Sequence, residues 1–344
     1  MTPAPPAPSV TSTPPSPTPA PAGRPGLRPA SPGATLDPHA TRIAVLANPY
    51  SGTGPNRRRV AALLTALRDA GFEPVEYWTP HERRAALAEP DALRCAVVAG
   101  GDGSIADAIN EMAEVGPLED APPLACFPMG NENLFSDELG FSKDPASLCQ
   151  TIAEDRWERI DLGQVGDRLF TLMASTGIDA EVVRRMTDWR TLAAAAGGEA
   201  EPPVLRRANR LSYGLRMAGA LRDYPYTPIT VEADGRQVTG AHAFAFNLPR
   251  YGGGLKIAPD ADPRDGLLDW VVFRRRGWAA VFRYLSMVAL GRHREIEGVL
   301  HGRAASLTWT TAGRVPVQAD GDLAGETPTT VTIRPAALRV LRPA

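Results

Sequence analysis

Between Thr41 and Pro128, short apolar runs alternate with stretches whose hydrophobic residues recur every three to four positions. Ile43–Ala47 (IAVLA) is apolar at every position, as a strand buried on both faces must be, and it ends in the turn Asn48–Gly52 (NPYSG). Val60, Leu63, Leu64 and Leu67 then share one side of a helix expected over Arg57–Ala70. Phe72–Trp78 reads as a second strand and Glu82–Ala88 as a short helix. Cys95–Ala99 (CAVVA) is a third buried strand that runs into Gly100–Ser104 (GGDGS) and a helix from about Ile105 to Ala113. A fourth strand, Leu124–Phe127, leads into Pro128-Met129-Gly130-Asn131. This alternation predicts an α/β domain around a parallel sheet. Ligands of such sheets bind beyond the carboxyl ends of the strands, where all three glycine-bearing turns lie.

After Arg159 the pattern changes. Ile160–Val165, Leu169–Ala174, Ile229–Glu232, Ala243–Asn247, Leu268–Phe273, Ser306–Trp309, Val315–Gln318 and Thr330–Ile333 are short, β-rich and separated by turn residues, which predicts an antiparallel sandwich or barrel. Two helical stretches, Leu205–Leu221 and Trp278–Leu290, interrupt it, and Ala193–Gly198 with Glu199–Pro203 reads as a loop. The expected organisation is a proline-rich tail over 1–40, an α/β domain over 41–158 and a β-rich domain over 159–344 whose last residues can return to the first.

Composition narrows the partners. The first 40 residues hold 13 of the 34 prolines and no apolar run that could form a signal peptide, so they read as a disordered, partly polyproline tail. A net charge of −2 argues against wholesale nucleic-acid binding. No run of 18 apolar residues exists to span a membrane. Cys95, Cys126 and Cys149 are too scattered for a disulfide framework or a zinc site and read as reduced and buried, which fits the cytosol.

Gly100–Ser104 carries the clearest chemistry. Glycines let a backbone approach a phosphate, and the helix that opens there offers free N–H groups and a positive dipole end to an anion. Ser104 supplies a hydroxyl, while Asp102 among phosphate donors would repel the ligand unless a metal ion or a moving proton compensates. Asn48–Gly52 and Pro128–Asn133 repeat the turn logic more weakly, and none of the three matches the P-loop lysine or dinucleotide pattern. Each turn is also what a strand-to-helix junction needs for geometry alone.

In order along the chain, Asn48–Gly52 (NPYSG), Gly100–Ser104 (GGDGS), Pro128–Leu134 (PMGNENL), Ile160–Gly163 (IDLG), Ser175–Ala180 (STGIDA), Tyr251–Gly254 (YGGG), Ile257–Asp269 (IAPDADPRDGLLD), Asp320–Asp322 (DGD) and Pro335–Leu341 (PAALRVL) resemble the diacylglycerol kinase catalytic family of lipid kinases. The resemblance spans Thr41 to Pro343. It implies an N-terminal parallel-sheet nucleotide-binding domain plus a C-terminal antiparallel β-sandwich domain, and ATP-dependent phosphorylation of a diacylglycerol or sphingoid-like hydroxyl. It implies nucleotide contacts from Asn48, Ser51, Gly52, Thr79, Gly100, Gly101, Asp102, Gly103, Ser104, Gly130 and Asn131. Three places depart from the family pattern: Asn131 stands where the family has threonine, Ala106-Asp107 where it has Asn-Glu, and Asp322 where it usually has glutamate, one methylene longer. A catalytically weakened lipid- or nucleotide-binding relative and a soluble-metabolite kinase are the alternative readings.

The carboxylate-rich loop Asp262–Asp269 suits a hard cation, or simply an Asp-Gly turn. By resemblance a structural Mg²⁺ would take Asp262, Asp265 and Leu267, the first and last through backbone carbonyls. The resemblance also makes Asp322 the base for the lipid hydroxyl, with Glu326 nearby as a substitute, and gives Asp102 a role in orienting nucleotide-bound Mg²⁺ through water. Trp278–Leu290 (WAAVFRYLSMVAL), preceded by Arg274-Arg275-Arg276, reads either as a helix for an anionic membrane surface or as a core helix, and Arg206, Arg207, Arg210 and Arg216 decorate the other helical stretch. The expected partner is a lipid substrate met peripherally at the membrane from the cytoplasm, and a homodimer is left open.

Overall fold

The apolar run at the start of the ordered sequence forms β1 (Arg42–Ala47), buried from Ile43 to Ala47. It lies between β2 (Glu73–Tyr77) and β3 (Cys95–Gly100), with β4 (Leu124–Pro128) beyond β3, and all three pairings are parallel. Helices connect the strands: α1 (Asn56–Asp69) buries Val60, Leu63, Leu64 and Leu67 against the sheet, α2 (Pro80–Leu87) buries Ala86 and Leu87, and α3 (Asp102–Val115) buries Ile105, Ala108, Ile109 and Met112. The computed structural model describes residues 40–48, 56–195 and 224–343, with side chains to 188 in the second span. The expectations for the proline-rich tail, for Ser51 and Gly52, and for Leu205–Leu221 with its arginines lie outside the described residues.

Two helices that hydrophobic spacing did not reveal follow β4. These are α4 (Leu134–Glu138), a single short turn, and α5 (Pro145–Glu154). The start of α5 has a local cause: Asp144 accepts hydrogen bonds from the N–H groups of Ala146 and Ser147 at 3.2 and 3.3 Å, and Pro145 fills the first helical position.

The second half is β-rich. Its elements are β5 (Trp157–Val165), β6 (Arg168–Phe170), β7 (Met173–Thr176), α6 (Ile178–Ala195), β8 (Ile229–Ala233), β9 (Arg236–Gly240), β10 (His242–Phe246), the short pair β11 (Arg250–Tyr251) and β12 (Leu255–Lys256), β13 (Leu268–Phe273), α7 (Trp278–Ala289), β14 (Val299–Ala304), β15 (Ser306–Thr311), β16 (Pro316–Ala319), β17 (Asp322–Glu326) and β18 (Thr329–Leu341). One sheet runs β2-β1-β3-β4-β18-β15-β8-β9, with β5 and β6 attached through β18; a second, antiparallel sheet runs β14-β13-β10-β7-β16-β17. The two β-rich layers enclose Phe170, Val231, Trp270, Leu307, Trp309, Val317 and Val331, so the second half is an antiparallel sandwich.

Tertiary structure redraws three expected elements. Leu169–Ala174 is not one strand: β6 belongs to the first sheet and β7 to the second, and the chain crosses between sheets at Thr171-Leu172. A run that is apolar but for Thr171 hides such a crossing because both ends are buried. The residues 193–195, read as loop, continue α6. The last expected strand, Thr330–Ile333, is part of the 13-residue β18, which breaks register between Arg334 and Leu338. Its first part pairs antiparallel with β15, and its end pairs parallel with β4 at Val340. The C-terminal strand thus stitches the parallel sheet to the sandwich, within one compact unit.

Candidate active site

The carboxyl ends of β1 to β4 gather most of the residues expected to hold a nucleotide. Asn48 follows β1, and its Nδ2 donates to Ser104 Oγ at 3.0 Å, joining the first and third turns. Gly101 and Gly130 bring the third and fourth turns into backbone contact. A Cβ on Gly101 would lie 2.9 Å from Gly130 Cα, and one on Gly130 would lie 2.6 Å from Gly101 Cα. These two glycines are therefore required for packing, whatever else they do. Gly103 is different: a Cβ there meets nothing within 4 Å, so the first turn of α3 presents an open face to solvent. The first N–H groups of this 14-residue helix have no partners within the helix.

Asp102 does not point into open space. Its Oδ2 accepts from Leu134 N at 3.0 Å and its Oδ1 from Phe135 N at 2.9 Å, so it holds α4 against α3. Burial pushes its carboxyl above the usual range, the two N–H donors oppose this, and the charge of Asp320 adds to the rise. Thr79 caps α2: its Oγ1 accepts from Glu82 N at 3.3 Å, while Glu82 Oε2 accepts from Thr79 N at 3.0 Å. It stands exposed at the same sheet edge. Asn131 is exposed and the adjoining residues shape its loop. Asn133, at φ 57°, accepts from Gly130 N at 2.7 Å and donates to Gly130 O at 3.0 Å, and the Glu132 carboxylate accepts from Gly253 N at 2.9 Å.

Opposite this edge stands the β16–β17 turn. Asp320 (φ 51°) is half-buried and accepts four hydrogen bonds: from Thr171 N (2.6 Å), Thr171 Oγ1 (2.8 Å), Leu172 N (2.9 Å) and Met173 N (3.0 Å). It satisfies the N–H groups exposed where the chain crosses between sheets, which makes it the clamp that fixes the turn. Asp322, the expected base, is 44% exposed at its side chain and receives Arg168 Nη2 on Oδ2 at 2.6 Å. Asp107 of α3 faces this pair. Although Asp107 is exposed, partial desolvation raises its pKa, the Asp322 charge raises it further, and Arg168 opposes. The structure thus brings Asp102 and Asp107 from the parallel-sheet half to Asp320, Asp322 and Arg168 from the sandwich.

Several of these partners carried no sequence signal. Arg168 lies in an ordinary hairpin, and only the fold brings it to Asp322. Ala106, a departure from the family pattern, is 1% exposed and is a packing position. The polar tie in this region comes instead from Asn110, which accepts from Leu169 N at 2.9 Å and donates to Leu169 O at 3.0 Å.

The proposed cation loop is arranged for arginine. Asp265 accepts from Leu267 N at 3.0 Å and faces Arg303, and Asp262 pairs with Arg264 at 3.4 Å. The Asp262 carbonyl is directed to Asp265 N at 3.4 Å, and no three carboxylate, histidine or cysteine side chains converge among the described residues. Of the expected ligands, Asp265 is thus the carboxylate, and in this arrangement it is matched to a guanidinium group.

An apolar cavity lies beneath α7, lined by Val182, Phe244, Phe273, Val281, Leu285 and Val288. Its polar rim is Asp179, which accepts from Ser175 Oγ at 2.6 Å, from Gln318 Nε2 at 2.9 Å and from the Tyr251 hydroxyl. Gln318 Oε1 in turn accepts from Gly321 N at 2.8 Å, so the rim is wired to the turn that carries Asp320 and Asp322.

Comparison with known proteins places both halves of the chain. Residues 42–165 match the diacylglycerol kinase catalytic domain, and residues 173–342 match the YegS C-terminal NAD kinase beta sandwich-like domain. A diacylglycerol kinase of Mycobacterium tuberculosis is 29% identical over 315 residues, covering 88% of this chain and 95% of its own length. One from Bacillus subtilis is 26% identical over 297 residues, covering 83% and 91%. A crystal structure of a diacylglycerol kinase from Bacillus anthracis superposes with a TM-score of 0.61 at 17% identity, covering 88% of this chain and 97% of that one; at this identity the likeness speaks for the fold.

Proposed function

The chain belongs to the diacylglycerol kinase catalytic family, and from that premise we propose that it transfers the γ-phosphate of ATP to the hydroxyl of a lipid, diacylglycerol or a sphingoid-like alcohol. The observation that carries the reading is the meeting of the open N-terminus of α3 with the Asp322–Arg168 pair, beside a cavity that is apolar apart from one polar rim.

In this reading the N–H groups of Gly103 and Ser104 receive phosphate oxygens, and the missing Cβ at 103 allows the approach. Asp102 acts by holding α3 and α4 in register, and Asn48 orients the Ser104 hydroxyl. The lipid chain lies in the cavity beneath α7, which places its hydroxyl toward the β16–β17 turn. Arg168 holds one oxygen of Asp322, and Oδ1 takes the hydroxyl proton. The lipid oxygen forms its bond to the γ-phosphorus as the bond to the bridging oxygen breaks and ADP leaves. Phosphoryl transfer depends on alignment and charge neutralisation more than on covalent help, which suits a site made of turns. Magnesium arrives as part of the nucleotide substrate.

The test is incubation of the full chain with γ-labelled ATP and a total lipid extract. Label in an organic-extractable product is the expected result. Label confined to aqueous metabolites would make it a soluble-metabolite kinase, and nucleotide binding without any transfer would make it a non-catalytic relative.

A further inference from the structure

Among the described residues, the three most exposed large hydrophobic side chains sit on one helix or its cap: Trp278 at 70%, Phe282 at 71% and Leu290 at 68%. No other large hydrophobic residue among those described exceeds 40%. The cause is the sequence of α7, which is apolar around most of its circumference. Tyr284 and Val288 point inward and are buried, while Trp278, Ala289 and Phe282 fall on the exposed side within about one-ninth of a turn of each other at 3.6 residues per turn, followed around the helix by exposed Ser286 and Leu290. A helix of a water-soluble surface would carry polar residues there.

Charge surrounds this stripe. Residues 274–294 contain six arginines and no acidic residue. Arg275, Arg292 and Arg294 reach Glu297, Glu295 and Asp260, respectively. Arg274, Arg276 and Arg283 are exposed and make no ion pair among the described residues. Aromatic residues on the solvent face with unpaired arginines beside them match the interfacial zone of a bilayer, where rings enter the headgroup–acyl boundary and guanidinium groups meet lipid phosphates. No described helix is long and apolar enough to cross a membrane, and α7 has only 12 residues.

The inner face of the same helix makes the position informative. Val281, Leu285 and Val288 of α7 line the apolar cavity. We propose that α7 docks flat on an anionic bilayer through Trp278, Phe282 and Leu290, with Arg274, Arg276 and Arg283 on the lipid phosphates, so that a lipid passes from the leaflet into the cavity beneath the helix without crossing water. The route into the cavity rests on the lipid-kinase reading; the docking itself does not.

The experiment is flotation of the full chain with vesicles of phosphatidylcholine alone and with one-third phosphatidylglycerol, at low and high salt. The chain is expected to float with the anionic vesicles and to be released by salt. The double variant Trp278→Ser/Phe282→Ser is expected to bind at least tenfold more weakly, and Arg274→Gln/Arg276→Gln to lose about fivefold per arginine on anionic vesicles alone. All variants should keep the wild-type melting temperature, and their phosphate transfer to a short-chain diacylglycerol dispersed in detergent should be unchanged. The proposal is overturned if the wild type stays with the soluble fraction, if it binds both vesicles equally, or if the aromatic variant floats as the wild type does. It is equally overturned if the wild type sediments as a dimer that the aromatic variant dissociates, since the stripe would then face a second copy. Flotation without phosphate transfer to any lipid would leave the docking standing and remove the kinase reading; transfer without flotation would do the reverse.

Discussion

Asp322 and Asp102 look alike in sequence, each an aspartate beside glycine, yet they do different things. Asp322 has one oxygen on Arg168 and one without a partner among the described residues, whereas both oxygens of Asp102 are engaged by backbone N–H groups. Asp322→Asn should lower phosphate transfer by at least 100-fold, the usual scale for loss of a general base, with an unchanged melting temperature. Wild-type turnover in a labelled-ATP assay would exclude it as the base. His242 gives a pH prediction. It is 3% exposed, and burial pushes its pKa down to about 4. A histidine with a depressed folded pKa binds fewer protons folded than unfolded, so stability is full above about 6.5 and falls as the pH drops toward 4. At pH 5 the loss from this group is about 2 kcal/mol. Denaturant titrations of His242→Phe at pH 7 and pH 5 should show a pH dependence shallower by that amount.

Among elements, the glycine-rich turn into α3 contains two kinds of glycine. Gly101 is pressed against Gly130, whereas Gly103 is open. Gly130→Ala should destabilise the fold by about 1–3 kcal/mol through overpacking. Gly103→Ala, inside a helix, should leave stability equal or raise it by about 0.5 kcal/mol, yet weaken ATP binding, because the added methyl occupies the phosphate approach. Denaturation midpoints and nucleotide titrations on the same two proteins separate packing from binding. Equal ATP affinity in Gly103→Ala would move the phosphates away from α3. The start of α2 gives a further stability prediction: Thr79→Ala removes the cap and should cost about 1 kcal/mol, read from denaturation midpoints.

On the scale of the molecule, β18 decides whether the halves are separable. It pairs with β15 and β5 of the sandwich and with β4 of the parallel sheet, and its Arg339 donates to the Ala121 carbonyl at 2.7 Å. A chain ending at residue 328 leaves the β4 edge and the sandwich interior uncovered at once. It should show no cooperative unfolding transition by circular dichroism, and the full chain should unfold with coincident near- and far-ultraviolet transitions. A stable, cooperatively folded fragment would show that the parallel sheet does not need the C-terminal strand.

What the sequence determined by itself was local. Runs of five or six apolar residues specify buried strands, spacing of three and four specifies the helices between them, and the ordered turn motifs mark a kinase of a known family, because each of these signals is written in neighbouring residues. The tertiary structure decided everything that joins distant positions. Leu169–Ala174 is as apolar as a single strand, and only packing two sheets splits it. Asp320, two residues from the expected base, proves to be a clamp because the crossing at Thr171 leaves donors for it. Arg168 meets Asp322 across 154 residues of chain, and Asp262 and Asp265 face arginines that no spacing rule links to them. An ion pair or a sheet crossing depends on which surfaces meet, and that is settled by the packing of the whole chain rather than by the identity of the residues beside it.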